Sequence, residues 1–465
     1  MKRFGIILGI IVLCLLLILI WSTSPVRRTS YFDEEYYKNI VLQIDSLKPG
    51  VVIINDSLKA GFSRVSITPE LNSTEDNFRV GKFTEAPLAG YGDRKGNPAT
   101  GIHDSIFVRA VALNLKSQTI IFLSADLLIM PPNITDSVTK LLSEKGIRRD
   151  QLIFSATHTH SSLGGWGPGF VGKQFAGEEN NDLIKWLALQ ISQAVTSAIS
   201  DLRPARIGTG CFNAGSFTRN RVTGESGTKN NDFCFIVIEQ PGCRKAVIGS
   251  FSAHATTLGA GNMEISADYP GYWARRIEAG SGDIALFLAG SVGSQSPVGK
   301  GDGFDRSKYI GEALADSTNL YLGKTELKDK VTFSFLPLKM QLPEYHIRLT
   351  PKINLSSFLS GKLMPPPEDV YLQAVRIDNM VWITTPSDFS GEYALQIKNA
   401  LSAKGFNANV SSFNGSYVGY IVPGRYFYLD EYESRLMGWF GPNMGEYTMD
   451  LIRRISEIVT GTDNL

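Results

Sequence analysis

The sequence predicts an α/β fold of mixed, largely parallel sheets with flanking helices, a site at the carboxyl ends of the strands, and an N-terminal transmembrane helix. Three observations carry this expectation. Apolar, β-rich runs alternate with amphipathic segments of helical period; several of these runs end in glycine-rich turns bearing histidine, aspartate or tyrosine; and an uninterrupted apolar stretch opens the chain. The 465 residues, 43% apolar and 20% charged, are enough to bury a sizeable core in one large domain or two ordinary ones. A formal net charge of +1 with no Lys/Arg block argues against nucleic acid as a partner, since phosphate binding needs a concentrated basic surface.

The opening stretch "MKRFGIILGIIVLCLLLILIWSTSPVRR" places an apolar run at residues 5–21. At about 1.5 Å per helical residue it nearly spans a hydrocarbon core of about 30 Å. Residues 1–30 therefore read as a membrane anchor or signal segment. An uncleaved anchor is favoured, because the run is long for a signal peptide and Ser24 is followed by Pro25. Lys2 and Arg3 on one side and Arg27 and Arg28 on the other leave charge nearly silent on orientation, and the exported side, periplasmic or extracellular, is the expectation. Residues 31–58 read as a short helix and a linker, and 59–465 as the folded domain. Outside the apolar run stand Cys211, Cys234 and Cys243, which allow one disulfide at most. The oligomeric state is not legible.

Within the domain, "SQTIIFLSAD" reads as a strand, "NITDSVTKLLSEKG" as an amphipathic helix closed by Gly146, and "QLIFSA" as the next strand. This β-α-β unit makes the two strands parallel and sets His158 and His160 of "SATHTHSSLGG" just past a carboxyl end, where open α/β sheets place their sites. "KAVIGSFSAHATTLG" runs likewise into His254, "DIALFLAGSVGSQSP" into Ser294 and Ser296, "MVWITTPSDF" into Asp388, and "ANVSSFNGSYVGY" into Tyr417 and Tyr420. Imidazoles, a carboxylate and a phenol are nitrogen and oxygen donors of the kind zinc takes.

Each residue also has a plainer reading. A His-x-His pair beside glycine suits a hydrogen-bonding loop, and Asp388 and Asp268 each stand where a helix N-cap is expected. Tyr420 and Tyr432 suit packing, Arg221 an exposed loop, and His103 and His346 structural roles.

"AGFSRVSITPE", "PLAGYGDRKGNPATGIHDSIFVRAVAL", "FLSADLLIM", "SATHTHSSLGG" and "FSAHATTLG", in this order, resemble the catalytic domain of the neutral, non-lysosomal ceramidases, over roughly residues 60 to 455. That family hydrolyses the amide of N-acylsphingosine with zinc. The resemblance implies zinc ligands at His158, His254, Asp388 of "PSDF" and Tyr420 of "YVGY". It implies catalytic roles for His160, for Arg221 after Asn220, for Ser296 of "GSQSP" and for Tyr432 before Glu433. The implied partner is a lipid-like N-acyl amide, with the membrane reached through the N-terminal helix.

This sequence departs from the family's pattern. Asp388 replaces a glutamate, "SSLGG" follows the histidines in place of "SGPGG", Asn220-Arg221 is followed by Val222 rather than serine, and the expectation is a catalytic domain without the family's C-terminal β-sandwich. In the expected chemistry zinc lowers the pKa of water toward about 7, and His160, Arg221 and Tyr432 steady the oxyanion formed at the amide carbonyl. Ser296 orients the attacking water or a substrate hydroxyl, since no G-x-S-x-G elbow marks it as a nucleophile. Two alternatives stay open: a metallohydrolase of a non-ceramide amide or ester, and a membrane-tethered binding protein on a decayed ceramidase scaffold.

Overall fold

The computed structural model describes residues 2–224 and 227–462, with backbone alone at residues 2, 3 and 5. The opening apolar run forms helix α1 (Lys2–Ser22), and its described side chains between Phe4 and Trp21 are exposed. The expected transmembrane helix is corrected here: among the described residues no helix is long and apolar enough to cross a membrane.

Residues 31–58 pack onto the folded body instead of crossing solvent as a linker. Helix α2 (Glu35–Leu47) buries Tyr37, Ile40 and Ile44, one helical stripe, and each such burial stabilises by about 1.5–3 kcal/mol. Strand β1 (Ile54–Ser57) then pairs antiparallel with residues 330–333.

Beyond it the chain repeats one plan, three strands, a helix, a strand and a helix, in three successive units. The first is β2 (Lys59–Ser66), β3 (Phe107–Leu115), β4 (Gln118–Ala125), α3 (Pro132–Ser143) and β5 (Leu152–Ala156), with a short α4 (Gly169–Ala176) before its closing helix α5 (Asn181–Ser200). The second is β6 (Arg206–Asn213), β7 (Asp232–Glu239), β8 (Lys245–Phe251), α6 (Asp268–Glu278), β9 (Ile284–Ala289) and α7 (Gly303–Leu322). The third is β10 (Lys330–Lys339), a short α8 (Ser357–Leu363), β11 (Tyr371–Ile377), β12 (Met380–Thr384), α9 (Gly391–Ser402), β13 (Asn407–Ser411) and α10 (Met444–Thr460).

The expectation of largely parallel sheets is also corrected. In each unit the first three strands are antiparallel, and only the last pair is parallel: β4 with β5, β8 with β9, β12 with β13. Connection length is the cause. Turns such as Lys116-Ser117 and Asp378-Asn379 reverse the chain at once, with Lys116 and Asp378 both at φ +52°, whereas a parallel partner needs a helical crossover. The first of these pairs, β4 with β5 around α3, is the β-α-β unit read from the sequence.

Strand alternation gives every sheet two apolar faces. Phe122, Leu113, Ile236, Leu286, Phe333 and Trp382 face inward, so all three sheets meet in one central core. The outward faces lie under their own helices: Ile121 and Leu123 under α3 and α5, Phe233 and Phe235 under α6 and α7, Leu372 and Ile383 under α9 and α10. Three parallel pairs thereby present their carboxyl ends around the same end of the core. Cys211 and Cys234, opposite each other on β6 and β7, form a disulfide, and Cys243 is free and exposed.

Candidate metal centre

His158 follows β5 by two residues, His254 follows β8 by three, and Asp388 follows β12 by four. Backbone bonds stitch these strand ends together. Thr159 bridges Ala255, His160 N–H donates to the Ala255 carbonyl at 3.2 Å, and His254 N–H donates to the Gln295 carbonyl at 3.1 Å. Asp388-Phe389 pairs in parallel with Tyr420-Ile421. His158 itself sits at φ +63°, a conformation a non-glycine residue holds only when its surroundings enforce it, and Phe413 stacks on its ring at 4.5 Å.

Hydrogen bonds fix which ring nitrogen of each histidine faces the centre. His158 Nδ1 lies 2.7 Å from the Leu128 carbonyl and His254 Nδ1 lies 3.0 Å from the Gln295 carbonyl. A carbonyl only accepts, so both Nδ1 atoms carry hydrogen and both Nε2 atoms present lone pairs. Burial depresses the pKa of both rings, to about 3 for His158, so neither becomes a cation. Asp388 Oδ1 stands 3.4 Å from each Nε2, buried, with no hydrogen-bond donor. Burial pushes this carboxyl up to about 7, although Tyr417 and Arg221 favour its charged form. Two imidazole lone pairs and a carboxylate oxygen face one point, and of the three the carboxylate oxygen has no hydrogen-bond partner. The residues present thus fit a divalent metal, with the Tyr420 hydroxyl 3.0 Å from His254 Nε2 as a further oxygen donor.

His160 differs from the other two. The three histidines offer nitrogens within 4.8 Å of one another and could together hold a metal ion. Yet His160 Nε2 lies 3.3 Å from His158 Nε2, which is an acceptor, so His160 Nε2 carries the hydrogen and donates. Tyr91 packs on the His160 ring at 4.9 Å, and the buried Arg94 guanidinium donates to the His160 carbonyl.

Arg221 donates through Nη2 to the Tyr420 hydroxyl at 3.0 Å and pairs through Nε with Glu433 at 2.7 Å. Burial works against its charge, but Tyr420, Glu433 and Asp388 outweigh burial and hold its pKa above the ordinary value. Tyr432 stands edge-on to Tyr420 at 5.7 Å and lines the adjoining cavity.

Ser296 is not brought in. Its strand pairing opposite Arg219 turns Oγ to the Arg219 Nε at 3.2 Å, and it does not line the cavity. Both N-cap readings are corrected too. Ser390 caps α9, accepting from Glu392 N–H, which leaves Asp388 free for the centre. Asp268 accepts from the Thr257 and Leu258 amides, so it braces the loop that carries His254. His103 stacks on Phe304 and His346 bonds the Leu355 carbonyl, both outside the centre.

The backbone at Asp388 packs closely against the turn after β9. A Cβ on Gly293 would lie 2.5 Å from the Asp388 carbonyl oxygen, so only glycine lets the Asp388 segment sit this near the core. Above the centre opens a cavity of about 440 Å³ with His158, His160, Asp388 and Tyr420 among its lining residues and Trp166, Val171, Phe175, Met364 and Trp439 along its apolar walls. Sequence reasoning missed these wall residues, the Leu128 and Gln295 carbonyls, Gly293 and Glu433. Only Glu433 carried a signal, its place beside Tyr432.

Residues 79–297 match the family described as neutral/alkaline non-lysosomal ceramidase, N-terminal. The resemblance read from the motifs is therefore to the neutral ceramidases. Among solved structures, the neutral ceramidase from Pseudomonas aeruginosa superposes with a TM-score of 0.73 at 18% identity, over 89% of this chain and 75% of that one. A ceramidase complexed with C2 gives 0.73 at 17% identity, over 88% and 76%. At such identities the structural likeness is one of fold.

Proposed function

We propose that this chain is a zinc-dependent amide hydrolase, ceramidase-like, converting an N-acylsphingosine to a fatty acid and a sphingoid base. The observation that carries the reading is the orphaned Asp388 Oδ1 between two lone-pair-bearing imidazoles on the floor of an apolar cavity. His158, His254 and Asp388 would hold the ion, with Tyr420 as a fourth, weaker donor. A bound divalent cation supplies Lewis acidity and makes a water nucleophile accessible near pH 7.

The remaining chemistry belongs to this chain's own side chains. The apolar walls hold an acyl chain and exclude water, which strengthens every charge interaction at the amide. His160 presents Nε2–H, and Arg221 keeps N–H groups beyond the two used on Tyr420 and Glu433, so both can donate to an oxyanion. Tyr432 supplies a hydroxyl at the cavity wall. The match to the ceramidase family favours a lipid-like amide over a non-lipid one. The unit proposed to do this is residues 59–465, placed on the exported side, and the Cys211–Cys234 disulfide supports an oxidising compartment.

The test is to incubate the purified protein with N-acylsphingosines and assay free fatty acid, with and without a chelator. Chelator-sensitive release, restored by zinc, is expected. No release from any chain length, with zinc bound, would remove the ceramide assignment.

A further inference from the structure

We propose that Tyr417 is a positioning residue that makes Asp388 a one-oxygen metal ligand and holds that oxygen on the metal. The inference rests on the metal reading of the centre. Tyr417 donates its hydroxyl to Asp388 Oδ2 at 2.6 Å, and Oδ1 is left without a donor between His158 and His254. One oxygen is thus capped by the protein and the other turned inward. The phenol is held in place by its surroundings: its ring meets Trp439 edge-on at 5.7 Å and Phe413 at 6.2 Å, and Phe413 stacks in turn on His158. The backbone is fixed as well, with Val418 N–H on the Pro386 carbonyl at 2.8 Å and Asp388 N–H on the Gly419 carbonyl at 3.1 Å.

An aspartate has one fewer torsion than a glutamate, and its carboxylate swings on χ2, a broad torsion with little preference of its own. Without a partner on Oδ2 the plane is free to rotate, and two oxygens compete for the ion. The hydroxyl removes that freedom before the metal arrives. Groups that orient a ligand in this way typically account for about 10–100-fold in metal affinity. One carboxylate oxygen and two imidazoles also suit zinc better than calcium or magnesium, which favour oxygen-rich shells.

The experiment is a competitive chelator titration of zinc on the full chain, with the melting temperature of the metal-free protein recorded for each variant. Tyr417→Phe should weaken zinc about 10–100-fold while the metal-free melting temperature stays near wild type. In an Asp388→Ala background the same change should cost nothing further, because Tyr417 acts only through Asp388. Zinc affinity unchanged in Tyr417→Phe overturns the proposal and leaves the metal reading intact; equal losses in both backgrounds also overturn it. A wild-type chain that binds no zinc removes both. A crystal structure of the zinc-loaded wild type decides the matter even if the variant does not fold: Oδ1 alone on zinc with Tyr417 on Oδ2 is expected, and Oδ2 on zinc overturns it.

Discussion

Asp388 and Tyr420 face each other in register on two paired parallel segments of two residues each. Residues in parallel register project to the same side, so the carboxylate and the phenol reach His254 together, at 3.4 Å and 3.0 Å. The centre is therefore assembled by strand pairing as much as by the loops that carry the ligands.

Ligands and oxyanion donors separate by experiment. His158→Ala and His254→Ala should each empty a centre that otherwise holds about one zinc per chain. His160→Ala, Arg221→Ala and Tyr432→Phe should keep the zinc and lose roughly 10²- to 10³-fold in kcat, with kcat/KM falling in parallel. Elemental analysis with steady-state kinetics checks both halves. Full zinc in His254→Ala would refute the ligand set.

Gly293→Ala tests the close approach behind Asp388. The added methyl would meet the Asp388 backbone at 2.5 Å and cannot push aside a paired strand cheaply. Zinc affinity should fall, with destabilisation of about 1–3 kcal/mol typical of overpacking. Chelator titration and a urea melt measure the two, and wild-type values in both would show that the segment gives way freely.

The cavity walls should set chain-length preference. Val171→Trp fills space in the cavity that Trp166 and Met364 also line. KM for long-chain N-acyl amides should rise well above the change for short-chain ones, while zinc content holds. Equal changes for both would place the acyl chain elsewhere.

Acid stability should depend on Asp201, far from the centre. Burial acts to raise its pKa, but Arg244, the Phe62 amide and Gln240 outweigh burial and lower it. A depressed folded value means that the stabilisation is complete above the unfolded value of about 3.9 and is lost as pH falls through the folded one. The melting temperature of Asp201→Asn should lie below wild type at neutral pH, and the gap should close at acid pH, as the pH falls through the lowered folded value. A gap that stays constant at acid pH would mean that the charge of Asp201 is not what matters.

Local pattern was enough for some of this. Apolar β-rich runs around an amphipathic helix gave the parallel pair β4 and β5, and turns at the ends of this and other apolar runs pointed to His158, His254, Asp388 and Tyr420, because hydrophobic period and turn chemistry are properties of neighbouring residues. Strand direction elsewhere was hidden, since β2, β3, β6, β7, β10 and β11 find their partners through hairpins and long returns that no local period encodes.

The choice between cap and ligand was hidden for the same reason. Asp388 is a plausible N-cap until Ser390 is seen on the Glu392 amide, and Ser296 is a plausible catalytic group until Arg219 is seen opposite it. What the sequence determined by itself was which residue types stand at strand ends. Tertiary structure decided which of their atoms meet, because a lone pair at Nε2 and an unpaired Oδ1 depend on carbonyls and hydroxyls, those of Leu128, Gln295 and Tyr417, contributed by other parts of the chain.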